Sequence, residues 1–135
     1  MEYDRFIGHV QHRARLGTFE EAVTATRATL ETLGRRLAGG SPGNLAAQLP
    51  TEIGRYLTAQ EGGQESFSLD EFFDRVCKEE GVDLPESVFH ARVVMEVLRE
   101  AVGENTFIKL RAQLPEDWNR LFEAGSEGAM PAGND

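Results

Sequence analysis

The feature of this chain that most constrains its fold is an internal repeat. When residues 13–57 are placed over residues 78–122, a shift of 65 positions without a gap produces eleven identities. The clearest shared segment is Gln48-Leu49-Pro50, which returns as Gln113-Leu114-Pro115. The 135 residues, 40% of them apolar, can bury one core of single-domain size, whereas either half alone would be marginal. We therefore predict two helical modules packed into a single domain.

Apolar periodicity and capping residues predict that both copies are helical. Over residues 19–37, apolar side chains recur at three- and four-residue steps, as on the buried stripe of an α-helix. Thr18 and Glu21 form a capping box before this stripe, and Asp83 and Glu86 take the same places in the second copy. No segment alternates apolar and polar residues as a strand does. The predicted fold class is all-α, with three to four helices in each pseudo-symmetric module.

The domain boundaries follow from the repeat and from the composition around it. Module 1 covers residues 3–58 and module 2 covers residues 68–123, so the single domain spans residues 1–123. Residues 59–67 are mostly polar and contain glycine, as linkers do. Residues 124–135 lack the apolar side chains that offset the entropy cost of ordering, and we expect a disordered tail.

The second helix of module 2 is apolar nearly all round, which is typical of a helix enclosed on both sides. Val93, Val94 and Val97 form its additional apolar face. We expect this face to meet small residues of module 1 along a pseudo-two-fold axis, namely Thr24, Ala28, Thr29 and Thr32. The alternative is that the valine face forms a homodimer surface.

Charge and composition limit the classes of partner. The net charge is −9, and residues 58–135 carry seventeen acids against seven Lys plus Arg. Nucleic-acid binding relies on neutralising phosphates with cations, so we expect no nucleic-acid partner. No stretch approaches the eighteen or so apolar residues of a spanning helix, and the charged first residues show no export signal. Together with a single cysteine, these observations predict a cytoplasmic protein that binds no membrane.

One group of basic residues stands apart from the acidic remainder: His9, His12, Arg13, Arg15, Arg35 and Arg36. If the ends of the first two helices meet, this group forms a basic patch suited to an acidic protein partner or to the protein's own acidic half. A solvated face is the alternative. His9 and His12 are spaced one helical turn apart, as metal ligands can be, but no further ligand joins them at a helical spacing. We therefore expect no metal and no cofactor.

Three further positions are candidates for binding. Arg27 and Arg92 occupy the same place in the two modules, and we expect each to tie helices together, with a shared anion site as the alternative. Trp118 stands where module 1 has Ile53, and its helical spacing favours a core residue over the wall of an apolar ligand cleft. The Gln-Leu-Pro segments are interpreted as structural corners, because proline stops one helix and starts the next.

The paired corner segments also carry a resemblance. Leu45-Ala46-Ala47-Gln48-Leu49-Pro50, after the break at Gly39-Gly40, together with Leu110-Arg111-Ala112-Gln113-Leu114-Pro115-Glu116, resembles domain of unknown function family 2267. The likeness runs from about Tyr3 to Phe122. It implies a small cytoplasmic bacterial protein built from tandem helical repeats, with no established activity, cofactor or catalytic residues.

Nothing in the sequence indicates catalysis. We find no nucleophile elbow, no phosphate-binding glycine loop and no dinucleotide fingerprint, and no residue near Cys77 is expected to activate its thiol. The first hypothesis is therefore a non-enzymatic protein-interaction or scaffold module. The alternative is a sensor or binding protein for a small or apolar ligand, using the groove between the modules near Trp118 and Arg92. An enzyme that uses His9, His12 or Cys77 ranks third.

Overall fold

A computed structural model of the protein describes residues 1–37, 41–59 and 64–123. These residues form seven α-helices and one 3₁₀ helix, and no strand occurs among them. The helices are α1 (Tyr3–Arg13), α2 (Phe19–Arg36), α3 (Ser41–Ala46), α4 (Thr51–Thr58), α5 (Leu69–Glu80), α6 (Leu84–Val102), α7 (Glu104–Ala112) and the 3₁₀ helix (Glu116–Leu121). The all-α prediction is confirmed. The predicted tail and the Gly39-Gly40 break lie outside the described residues.

The order of the helices follows the sequence repeat. The first residues of α2 and α6, Phe19 and Leu84, are repeat equivalents, and so are those of α4 and the 3₁₀ helix, Thr51 and Glu116. The first helix of each module, α1 or α5, aligns with a shift of 66 positions and buries matching residues: Phe6 and Phe72, Ile7 and Phe73, Val10 and Val76. The module boundaries and their two-fold relation in space stay predictions.

The centre of the molecule is formed by α2 and α6, which contact each other. Val93, Val94 and Val97 are fully buried, and Thr29 is buried equally deeply on α2. Both helices also contact α1 and α5, so α6 is covered on several sides, as its all-round apolar character predicts. This packing agrees with the predicted contact between the two faces. The three valines are buried within one chain and cannot form a dimer surface.

Helix capping differs between the copies. The Thr18 hydroxyl accepts a hydrogen bond from the Glu21 amide at 3.0 Å, and the Glu21 carboxylate accepts one from the Thr18 amide at 3.1 Å, so the first capping box is confirmed. The predicted duplication of this chemistry is wrong. Asp83 occupies the N-cap of α6 without a side-chain capping bond. Pro85 in the first turn removes one of the backbone N–H groups that a cap could bind.

The two Gln-Leu-Pro segments are corners between helices, as predicted. The first separates α3 from α4, and the second separates α7 from the 3₁₀ helix. Leu49 and Leu114 turn into the core, with 9% and 8% of their surface exposed. Glu52 follows the first proline, and Glu116 with Asp117 follows the second, in the next helical turn, where carboxylates favour the positive end of the helix dipole. None of the helices within the described ranges is both long and apolar enough to cross a membrane.

Candidate binding groove between the modules

A half-open groove of about 450 Å³ lies between α3 of module 1 and α7 of module 2. This volume falls within the roughly 300–1,000 Å³ that is usual for ligand sites. Four pairs of repeat-equivalent residues line it: Ser41 and Thr106, Asn44 and Lys109, Leu45 and Leu110, Gln48 and Gln113. Leu37 and Ala47 complete the lining. We call this feature the α3–α7 groove.

The α3–α7 groove has an apolar floor and polar walls. Leu37, Leu45 and Leu110 are buried, with at most 4% of their surface exposed. The side chains above them are amides, hydroxyls and one ammonium, and those at positions 44, 48, 109 and 113 are exposed. Such a site offers apolar contact area together with a few groups that fix the orientation of whatever binds.

The groove is placed by packing below its walls. An added Cβ at Gly54 would lie 2.9 Å from the Ala46 carbonyl oxygen, so only glycine lets α4 come this close to α3. On the other side, Phe107 and Leu110 anchor α7 in the core. The walls are therefore held by residues that face away from the groove or form its floor.

Hydrogen bonds inside the groove leave unused donors on the Gln48 side chain and an unused acceptor on the Gln113 side chain. The Thr106 hydroxyl donates to Gln48 Oε1 at 3.0 Å, which joins the two walls. Gln113 Nε2 donates to the Lys109 carbonyl oxygen at 3.5 Å. Within the described chain, the Gln48 amide N–H groups and the Gln113 side-chain oxygen have no such bond. Gln113 thus serves a carbonyl near the end of α7, whereas Gln48 bonds to the opposite wall.

Trp118 is a core residue, as its helical spacing predicts, with 1% of its surface exposed. Its ring lies 5.3 Å from the Phe72 ring and 6.3 Å from the Phe67 ring, measured between centroids. The Arg36 guanidinium carbon stands 5.1 Å from the Trp118 ring. The indole is therefore out of reach of a ligand in this structure.

The basic residues near the ends of α1 and α2 do not form one patch. Arg13 forms hydrogen-bonded ion pairs with Glu96 at 3.1 Å and Glu100 at 2.9 Å on α6, so it faces the protein's own acidic half. The bond from Arg13 holds the pKa of the Glu100 carboxyl below its usual range. Arg36 is buried and donates from Nε to the Phe67 carbonyl oxygen at 2.8 Å.

The remaining members of this basic group differ in how far their side chains are exposed. His9 and Arg35 are half-buried, and His12 and Arg15 are exposed. The backbone carbonyl of Arg35 accepts a hydrogen bond from the Glu65 amide at 2.9 Å, so part of the predicted linker packs along α2. Across the described ranges, no three His, Cys, Asp or Glu side chains lie close enough to hold a metal ion.

The repeated arginines have different surroundings. Arg92 Nε donates to the Arg120 carbonyl oxygen at 2.9 Å and so ties α6 to the 3₁₀ helix. Burial lowers the pKa of the Arg92 guanidinium, and the neighbouring Arg120 adds to this. Arg27 is exposed on α2, and its side chain forms no hydrogen bond within the described chain. A hydrogen bond between helices is therefore present at Arg92, and the predicted tie at Arg27 stays a prediction.

A buried pair of titratable residues was missed from the sequence. Glu80 Oε2 at the end of α5 contacts His90 Nδ1 on α6, and their side chains are only 4% and 7% exposed. Glu80 Oε1 and the hydroxyl of the nearby Ser87 have no hydrogen-bond partner among the described atoms. The available signal was the repeat itself, because alanine stands at all three equivalent positions when Glu80 is aligned with the 66-position shift of the first helices and the other two residues with the shift of 65.

A comparison with protein-family models identifies the family of the chain. The model of DUF2267, described as an uncharacterized conserved protein, matches residues 3–121. The chain belongs to the DUF2267 family. The match extends from α1 to the 3₁₀ helix, so the α3–α7 groove lies wholly within the DUF2267 domain. A search of the curated proteins found no match.

Proposed function

We propose that this DUF2267 protein is a non-enzymatic protein-interaction module, and that the α3–α7 groove binds an extended segment of a partner protein. The observation that supports this most directly is that equivalent residues of the two modules line one open groove. Polar side chains of both walls are exposed in this groove, at positions 44, 48, 109 and 113, so both modules present hydrogen-bonding groups to a partner.

The chemistry of the walls fits a peptide backbone. Each peptide unit carries one N–H donor and one C=O acceptor. Gln48 keeps its amide N–H groups for a carbonyl, and Gln113 keeps its side-chain oxygen for an N–H. The leucines of the floor are at most 4% exposed, so the polar side chains of the walls would make most of the contacts with the segment. Main-chain hydrogen bonds are a common source of affinity for extended segments.

The shape of the groove favours a chain segment over a small molecule. Sites for small molecules usually enclose about 70–90% of the ligand surface. The α3–α7 groove is half-open to solvent, and its polar lining consists of amides, hydroxyls and a lysine. Its volume still suits a small ligand, so a ligand-binding role in this groove is the second candidate.

The proposal can be tested by panning a peptide-display library against the full chain. Selected peptides are titrated into the wild type, the Gln48→Ala/Gln113→Ala variant and the control Gln11→Ala on α1. Loss of two hydrogen bonds predicts about tenfold weaker binding to the double variant. The control should bind as the wild type does.

Two results would count against the proposal. The first is an absence of enriched peptides, and the second is equal affinity of the selected peptides for the double variant and the wild type. A thermal-shift screen with a metabolite library addresses the second candidate. A compound that stabilises the wild type and leaves the double variant unchanged would assign the groove to a small ligand.

A further inference from the structure

We infer that the two walls of the α3–α7 groove differ in charge, and that the bound segment places an acidic side chain beside Lys109 on the α7 wall. This inference rests on the proposed function of the groove. Of the described residues that line it, Lys109 alone carries a charge. An open groove lets a chain pass through, so the carboxylate we assign belongs to an Asp or Glu side chain.

The difference between the walls follows from comparing the paired positions. Three of the four pairs have the same chemistry, since they are two hydroxyls, two leucines and two glutamines. A groove made only of these pairs would present similar groups on both walls. The fourth pair, Asn44 on α3 and Lys109 on α7, makes the α3 wall neutral and the α7 wall positive.

The charge of Lys109 is available for a partner. The side chain is exposed, and no ion pair involves it in the described chain. The residues three and four positions away on the helix are uncharged: Asn105, Thr106, Ala112 and Gln113. By contrast, Arg99 at the end of α6 already pairs with Glu104 at 2.6 Å. Lys109 therefore has no intramolecular carboxylate to compete with one from the segment.

The expected effect is modest because exposed ion pairs contribute little and are screened by salt. We compare a selected peptide that contains one Glu with the same peptide carrying Gln in its place. At low salt, Lys109→Asn should weaken the Glu peptide about threefold and leave the Gln peptide unchanged. At high salt, this difference should disappear.

The orientation is measured with a nitroxide attached next to the glutamate of the peptide. In the wild type, the label should broaden the amide NMR signals around Lys109 more than those around Asn44. In the variant Asn44→Lys/Lys109→Asn, which moves the charge to the other wall, the preference should reverse. The matched control is the same pair of spectra recorded with the Gln peptide, which should show no reversal.

The inference is overturned if Lys109→Asn weakens both peptides equally, or if moving the charge leaves the orientation unchanged. Failure of the proposed function gives a different pattern, because selected peptides then lose no affinity in Gln48→Ala/Gln113→Ala. If only the inference fails, that loss remains and the dependence on charge is absent.

Discussion

The α1–α2 hairpin of module 1 and the α5–α6 hairpin of module 2 are repeat equivalents that bury opposite chemistry. Module 1 has alanines at three interior positions, with at most 3% exposure: Ala14, Ala22 and Ala25. Module 2 has Glu80, Ser87 and His90 at the equivalent positions, also buried. Burying polar groups is costly unless they are fully bonded. A hairpin of this kind can therefore be built without buried Glu80, Ser87 and His90.

The modules also differ in how the second helix of each one packs on the helix near its corner. In module 1, a Cβ added at Gly34 of α2 would lie 2.1 Å from the Leu57 carbonyl oxygen, so α4 packs directly on the α2 backbone. In module 2, the equivalent residue is Arg99, whose guanidinium carbon lies 4.9 Å from the Phe107 ring centroid. Module 1 thus relies on close backbone approach, whereas module 2 uses a long side chain that reaches α7.

The largest expected effect comes from breaking the buried pair. His90→Ala leaves the Glu80 carboxyl buried without its partner and should lower the free energy of unfolding by about 3–5 kcal/mol. Replacing both residues by apolar side chains of similar size, in Glu80→Met/His90→Leu, should change it by only about 1 kcal/mol. Urea unfolding followed by circular dichroism measures both. Equal destabilisation by the single and double changes would contradict this view of the pair.

The next effect tests the close approach in module 1. Gly34→Ala forces the backbones of α2 and α4 apart and should cost about 3 kcal/mol. The matched change at the equivalent position, Arg99→Ala, removes only exposed contacts and should cost less than about 1 kcal/mol. Both values come from chemical denaturation at neutral pH. If the midpoint urea concentration of Gly34→Ala equals that of the wild type, the contact with Leu57 is not close in solution.

The smallest effect concerns Arg13, which joins α1 of module 1 to α6 of module 2. Because this partner lowers the folded-state pKa of Glu100, the resulting stabilisation is present above the unfolded value of about 4.3. It is lost as the pH falls through the lower folded value. The pair is partly exposed, so Arg13→Met should cost about 1 kcal/mol at pH 7. Denaturation curves should converge with the wild type in acid, and a gap independent of pH would contradict the assignment.

Much of the fold was predictable because its signals are local. Apolar steps, proline positions and the capping box at Thr18 depend on neighbours within a turn or two of helix. The α3–α7 groove depends on the approach of segments that are far apart in the sequence, and a glutamine has the same appearance whether it serves a helix end or faces a groove. The hydroxyl at Ser41 and Thr106 was the unused signal.

The group of basic residues could not be assigned correctly from the sequence. A shared patch requires that two helix ends meet, whereas the structure gives Arg13 and Arg36 separate partners. Likewise, the repetition of Arg27 and Arg92 predicts one role for both, whereas within the described residues Arg92 bonds to the 3₁₀ helix and Arg27 is exposed. Sequence equivalence identified matching backbone positions and could not determine which neighbours each side chain would meet.

The most direct test of the α3–α7 groove as the interaction site is site-specific photo-cross-linking in the cells that naturally make the protein. A benzophenone amino acid is placed at Ala47, which is exposed and lines the groove, and separately at Ile108, which is 55% exposed on α7 and is not a lining residue. We predict a defined protein adduct from position 47 that Gln48→Ala/Gln113→Ala abolishes, and none from position 108. An adduct from position 108 with none from position 47 would contradict the proposal.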